Sequence, residues 1–350
     1  MYYKRAGDAP LPFHVLSAFS PLPGTGSQAA LIIYPSTSDP RWLNDNFLLK
    51  ISADFNYTAT VHLAPSPISK TLDEDKVAII DENPLQAKAH HENNEKEEGS
   101  WEIRWFTPKS ELALCGHGTI STSYILFKKY PNLEVINYIN PIAGKFSSKR
   151  ISNNNKQIEI SLPGLTEDII NQLGQDQIHK DQDKLKIAFG LNKDDEDSIL
   201  NVSELPYGNK KTLIILFRSD IDLRSLNVDI KALGEIADGQ IIISQISTES
   251  KETLIIRSRM FGPGIGIQED TITGSAHAYL TTYYLQSKAR RFIPEHLQQK
   301  DPREITIEAT QLSERGGGMN CILGDNNTVR LIGKVREFGK GQLVDDDDDS

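Results

Sequence analysis

Two adjacent acids, Glu269 and Asp270, stand just ahead of Thr273-Gly274-Ser275-Ala276, and apolar residues at helical spacing follow (Ala276, Leu280, Tyr283, Tyr284). Thr253 to Phe261, before them, reads as a strand. The order is strand, glycine-containing turn with acids, helix start. Small residues there let a ligand approach the backbone closely. The free N–H groups and positive end of a helix dipole attract a carboxylate or phosphate. A carboxylate beside such a turn suits proton transfer, with its pKa tuned by burial. The same layout occurs earlier. Trp101 to Phe106 is strand-like, Glu111 precedes Cys115-Gly116-His117-Gly118-Thr119, and a helical pattern follows through Phe127. The two stretches read as a degenerate internal duplication. If they faced each other, two helix N-termini would meet at one cleft. Two ordinary strand-turn-helix units would give the same pattern.

The elements that must position these residues alternate. Strands are expected at Phe13–Phe19, Ala29–Tyr34, Tyr57–Leu63 and Leu133–Ile139 in the first half. Further strands are expected at Lys145–Ile151, Gln157–Leu162, Lys211–Phe217, Gly239–Ser247, Glu304–Ala309, Met319–Leu323 and Thr328–Val335. Helical spacing covers Pro40–Phe55, with Asp39 as N-cap, and Ile221–Ile236; two patterns lie within Leu165–Ala188. Glu82–Ser100 reads as a polar insertion loop, and Asp194–Ser198 as an acidic loop. The pattern predicts an α+β protein of two similar halves rather than one doubly wound parallel sheet. The expected halves are 12–142 and 143–340, the final strand returning to the first, with flexible ends at 1–11 and 344–350.

Composition narrows the function. The 350 residues carry a net charge of −10 and 38% apolar residues. A nucleic-acid binder is therefore not expected, and no basic stripe is evident. No apolar run reaches the ~20 residues of a membrane span. The first residues lack a signal-peptide core, and Cys115 and Cys321 make no disulfide framework, which points to the cytoplasm. His90-His91 have no partners for a metal set, so no metal is expected.

With these residues in view, the chain resembles the phenazine-biosynthesis PhzF-like family, which shares the diaminopimelate epimerase-like fold. ELALCGHGTIST and SRMFGPGIGIQEDTITGSAHAYLTTYY carry the resemblance, together with PIAGKF. It implies two pseudo-symmetric halves, each a curved, mostly antiparallel sheet around a central helix. It further implies a cofactor-independent isomerase or cyclase acting on a small carboxylate- or carbonyl-bearing metabolite in the cleft between the halves. Specialised metabolism and a homodimer are implied as well. The family's catalytic glutamate falls on Ala59 of NYTATVH, and a methyl group shuttles no proton. Gln28 stands where a proline is usual, and the closing block reads QLSERGGGM without its usual Arg-x-Ser. A catalytically silent ligand-binding protein is thus the alternative.

The resemblance makes Asp270 and His117 the candidate catalytic residues. Gly116, Gly118, Thr119, Gly274, Ser275, Ala276, Thr58 and Gln28 become candidate substrate-binding residues. Asp270 could equally cap its turn, and His117 could serve as a structural hydrogen-bonding group. Cys115 matches the first thiol of two-thiol epimerases, but the second would fall near Ile272, which cannot ionise. Packing under the turn is the simpler role for Cys115, and His277 reads as structural. His62 is expected on the strand face opposite Ala59. Glu111 and Glu269 are further candidates for a displaced base.

Overall fold

The computed structural model describes residues 9–66, 97–151, 157–173, 181–192, 197–207, 210–247, 250 and 252–343. Most of the expected insertion loop, most of the acidic loop and parts of both ends lie outside them. Contacts divide the chain into two compact units, one comprising Met1–Ala18, Ser27–Ile160 and Lys334–Ser350, the other Phe19–Gly26 and Ser161–Gly333.

In chain order the elements are β1 (Leu11–Ala18), β2 (Ser27–Ile33), α1 (Asp45–Phe55), β3 (Ala59–Pro65), β4 (Glu97–Phe106), β5 (Glu111–Leu112) and α2 (Gly116–Lys129). There follow β6 (Leu133–Asn140), β7 (Gly144–Arg150), β8 (Gln157–Pro163), α3 (Glu167–Ile170), α4 (Gln182–Ala188), β9 (Ile199–Tyr207) and β10 (Lys210–Phe217). The chain closes with α5 (Ile230–Ile236), β11 (Ile241–Ser247), β12 (Leu254–Phe261), α6 (Gly274–Gln286), α7 (Glu295–Gln298), β13 (Ile307–Gln311), β14 (Gly317–Leu323) and β15 (Thr328–Leu343).

The first unit orders its strands β8-β7-β6-β4-β3-β2-β1, and β1 also pairs with the end of β15. Only β2–β3 and β4–β6 are parallel there. The second unit orders β9-β10-β11-β12-β13-β14-β15, with β10–β11 and β12–β13 parallel. The fold is therefore α+β and mostly antiparallel, as the sequence pattern implies.

Each unit holds one largely buried helix. On α2, Gly118 to Ser123 and Ile125 to Phe127 are buried, and the helix packs on β1, β2, β3, β6 and β7. On α6 only Ser275 and Gln286 escape burial. A helix apolar on one stripe could not sit like this. The two helices instead carry threonines and serines whose hydroxyls donate to carbonyls one turn back, as Thr122 does to Gly118 and Thr281 to His277. That satisfies the hydroxyls without a partner outside the helix. Outside α6 in the second unit, α4 and α5 pack Leu185, Phe189 and Leu233 against Leu213, Ile215, Ile241 and Ile243 of the sheet.

Several bounds differ from the spacing rules. Helix α1 starts at Asp45, with Asn44 as its N-cap, because Asp39 is occupied by three bonds from Arg41. Helix α5 starts at Ile230 because Asp222 closes an earlier turn and Asp229 caps the helix. The strand expected at Glu304–Ala309 runs instead over Ile307–Gln311, since Asp301 caps a 3-10 turn at Pro302–Glu304. Strand β9 was not expected at all; it is the edge of its unit's sheet, bonded to β10.

Candidate functional site

In the first unit, strand β4 ends beside β5, and the short gap after β5 delivers Cys115 as the N-cap of α2. Cys115 Sγ accepts from Gly118 N at 3.3 Å, and the Cys115 carbonyl accepts from Thr119 N at 3.0 Å and Thr119 Oγ1 at 2.8 Å. The Gly118 and Thr119 donors are thus spent inside the helix start. Among the described residues, the N–H groups of Gly116 and His117 remain uncommitted in this turn. Gly118 is required by packing: a Cβ there would lie 2.8 Å from Val61 Cγ2 and 3.0 Å from Trp105 Cδ1.

Thr58 precedes β3, and its hydroxyl donates to the Gln28 carbonyl at 2.9 Å. With its one proton used, that hydroxyl accepts from Ser27 Oγ at 3.0 Å and from His117 Nε2 at 3.3 Å. His117 therefore carries its proton on Nε2, a tautomer inferred from the bonding. Both ring nitrogens lie 3.6 Å from Cys115 Sγ. The ring keeps some exposure, yet the surrounding protein strips its hydration and pushes its pKa down to about 4. It is a neutral hydrogen-bonding group at ordinary pH. Thr58, Gln28, His117 and Cys115 thus form one connected cluster. Ala59 is buried at the start of β3 and brings no polar group.

His62 lies elsewhere. Its Nδ1 meets Tyr34 Oη at 2.8 Å and its Nε2 meets Ser52 Oγ at 3.0 Å, under α1. Ser52 donates to the Leu48 carbonyl, so His62 donates from Nε2 and accepts at Nδ1. Fully buried and near the Arg104 cation, its pKa falls to about 3.

In the second unit, β12 ends in a glycine-containing turn that leads to Asp270. The Asp270 N–H donates to the Met260 carbonyl at 3.0 Å, and Asp270 Oδ2 accepts from Thr273 Oγ1 at 2.6 Å. Desolvation raises its pKa to about 6, with Glu269 adding to the rise and the Thr273 and Thr271 bonds opposing it. Gln311 clamps the turn: its Oε1 accepts from Thr273 N at 2.9 Å, and its Nε2 donates to the Asp270 carbonyl at 2.7 Å. Ser313 Oγ adds a bond to the Thr271 carbonyl at 2.6 Å.

Thr273 is the N-cap residue of α6, but its hydroxyl goes to Asp270 instead of the helix. The N–H groups of Gly274, Ser275 and Ala276 have no side-chain cap among the described residues. That is the arrangement an anion or carbonyl oxygen fills. Ser275 Oγ accepts from Gln240 Nε2 at 3.2 Å, which leaves its own proton for another acceptor. Gln240 Oε1 is buried without a partner. Gln311 opens the QLSERGGGM block, while Gln240 carries no sequence signal of its own, and each reaches the turn from a distant strand end.

His277 is structural in its bonding, donating from Nδ1 to the Thr273 carbonyl at 2.7 Å and accepting at Nε2 from Ser258 Oγ at 3.1 Å. Glu111 and Glu269, the two candidates for a displaced base, are each held by two bonds from an arginine, Arg104 and Arg259. Ile272 is buried, and the absence of a side chain on Gly317 makes room for it: a Cβ there would lie 2.6 Å from Ile272 Cδ1. Among the described residues, no group of three or more His, Cys, Asp and Glu could hold a metal, and no helix is long and apolar enough to cross a membrane.

A mixed, mostly antiparallel sheet built on a buried central helix in each of two units defines the diaminopimelate epimerase-like class. The chain belongs to the PhzC-PhzF family of phenazine biosynthesis-like proteins, whose pattern matches residues 16–337. A Pseudomonas aeruginosa protein described as an uncharacterized isomerase is 24% identical over 341 residues, covering 95% of this chain and 98% of its own. The human phenazine biosynthesis-like domain-containing protein is 27% identical over 293 residues, 79% of this chain and 91% of its own. Among solved structures, a PhzF-family protein of Enterococcus faecalis superposes with a TM-score of 0.67 at 21% identity, over 96% of this chain and 99% of that one.

Proposed function

We propose that this protein is an isomerase that needs no organic cofactor and moves a proton on a small carboxylate- or carbonyl-bearing metabolite. The observation that carries the reading is Asp270. Its carboxyl group is pinned by Thr273 in a clamped turn, beside uncapped helix N–H groups, with a pKa of about 6. A carboxylate so poised accepts a proton near neutral pH and returns it to a second carbon. Gly274, Ser275 and Ala276 would hold the carboxylate or developing enolate oxygen, which shields charge as it forms. The Pseudomonas aeruginosa relative, described as an uncharacterized isomerase, supports the reaction class.

Ala59 favours a second reading, a ligand-binding protein without turnover, because the resemblance puts a catalytic acid at that position. One experiment separates the two. The protein and its Asp270→Asn variant are incubated in D2O with a metabolite extract of the source cells and followed by mass spectrometry. The isomerase reading expects a compound that changes retention and gains one deuterium only with the unaltered protein. A change of retention without deuterium, equal in both proteins, would point to a ring closure driven by orientation alone. A compound that co-purifies unchanged would favour binding.

A further inference from the structure

A cavity in the second unit is lined by none of the residues assigned to the proposed reaction. Its volume is about 350 Å³, at the small end of ligand pockets. Its floor is the sheet face that carries Gln245 of β11 and Arg257 of β12, which are register partners. The turn from Ser219 to Arg224 forms its wall, with Asp222 and Arg224 in the lining.

The wall is fixed in place. Arg259 Nη1 donates to the Leu223 carbonyl at 2.9 Å, and Gln245 Nε2 donates to the Ser219 carbonyl at 3.2 Å. Asp222 Oδ1 accepts from Arg224 N at 3.0 Å. The cavity is thus formed before any ligand arrives.

One atom in it is out of balance. Gln245 is 3% exposed, and its Oε1 has no hydrogen-bond partner. A buried carbonyl oxygen left unpaired costs stability, and native proteins keep few of them without a reason. A ligand N–H group would satisfy it. The lining also brings Asp222 together with two guanidinium groups, Arg224 and Arg257, while its other acid, Asp220, is paired with Arg218 at 2.6 Å. A lone anion would meet Asp222, and a lone cation would meet the arginines. A molecule with both charges a few atoms apart meets neither penalty.

We infer that this cavity is a binding site for a small zwitterion of the α-amino acid type. Its ammonium group donates to Gln245 Oε1 and Asp222, and its carboxylate accepts from Arg224 and Arg257. The placement follows the hydrogen-bonding capacities of the side chains: guanidinium groups only donate, and ionised carboxylates only accept.

The test is calorimetric titration of the full chain with glycine, L-serine, L-glutamate and L-lysine, with acetate and methylamine as half-ligands. At least one amino acid is expected to bind, and both half-ligands are expected to bind at least ~10-fold more weakly, the scale of one lost charged hydrogen bond. Arg224→Ala, an exposed change, and Asp222→Asn, which keeps the acceptor for Arg224 N, should each weaken binding ~10-fold or more. Asp270→Asn should leave it unchanged, which separates this site from the proposed reaction. Absence of amino-acid binding overturns the inference. So does acetate binding as tightly as glycine, and so does affinity unchanged in both Arg224→Ala and Asp222→Asn.

Discussion

Arg259 grips Glu269 through two hydrogen bonds, Nε to Oε1 at 2.7 Å and Nη2 to Oε2 at 3.0 Å. Arg104 does the same to Glu111, at 2.8 and 2.7 Å, in the other unit. In both, the arginine sits on the strand before the turn and the glutamate opens the approach to the central helix. The duplicated layout therefore includes a duplicated clamp, and the glutamates act as anchors for the turns.

Removing one partner should be costly, because Arg259 is 9% exposed and would keep an uncompensated charge. Glu269→Ala is expected to lower the unfolding free energy by about 2–4 kcal/mol, somewhat below the figure for a fully buried pair since the Glu269 side chain is 25% exposed. Urea denaturation measures it. The double variant Arg259→Met with Glu269→Leu should lose less than Glu269→Ala alone. An equal or larger loss would mean that the pair itself, and not the stranded charge, sets the cost.

Asp270 trades stability for its protonation behaviour. Its folded pKa of about 6 lies above the ordinary 3.8, so it favours folding below pH 3.8 and withdraws that contribution as pH rises through 6. Asp270→Asn keeps the size and an acceptor oxygen for Thr273 while removing the charge. The variant should be more stable than the parent at pH 7.5 by about 1–3 kcal/mol and no more stable at pH 4. Thermal unfolding at the two pH values checks it. On the proposed reaction, the same variant should lose at least ~100-fold in kcat.

The buried histidines work in the opposite sense. His62 and His277 have folded pKa values of about 3 and about 4, below the ordinary 6.5. Each is neutral in the fold and charges on unfolding, so stability is full above pH 6.5 and falls as pH drops towards those values. At pH 5 each should account for a loss of about 2 kcal/mol relative to pH 8. Chemical denaturation across pH 8 to 5 gives the slope. His277→Gln should flatten it by roughly one proton's worth while lowering the baseline, since glutamine cannot reproduce both ring bonds. A slope unchanged in that variant would remove His277 from the account.

Much of this could be read in the sequence because the signals are local. The strand, the small-residue turn and the helix pattern lie within about thirty residues in each half, although Cys115 caps its helix and Thr273 does not. The start of α1 was misplaced for a physical reason: Asp39 has the right type for a cap, but Arg41, two residues on, takes both of its carboxylate oxygens. The arginine clamps had a signal in the sequence, an Arg on the strand seven or ten residues before a Glu, which spacing for helices and strands does not weigh. Gln240 had none, and Gln311 opens the QLSERGGGM block without any local sign of what it bonds. They reach the Asp270–Ser275 segment only because β11 and β13 end beside it, a long-range outcome of the sheet order.

Gln311 offers the last and most specific prediction. It is fully buried and bonds both ends of the segment that carries Asp270, the Asp270 carbonyl and the Thr273 amide. It touches no carboxylate oxygen, so it is a positioning residue. Without it the Thr273 hydroxyl is no longer held against Oδ2, and that hydrogen bond is what keeps the carboxyl pKa from rising further. Gln311→Leu should therefore move the acid limb of the kcat/KM profile upward by about half to one pH unit, along with a loss of rate of roughly 10-fold. Gln311→Glu, which retains the acceptor for Thr273 N, should restore part of the rate. A lower rate with an unmoved limb would show that Gln311 merely supports packing, since a loosened fold has no reason to shift the titration of one carboxyl group.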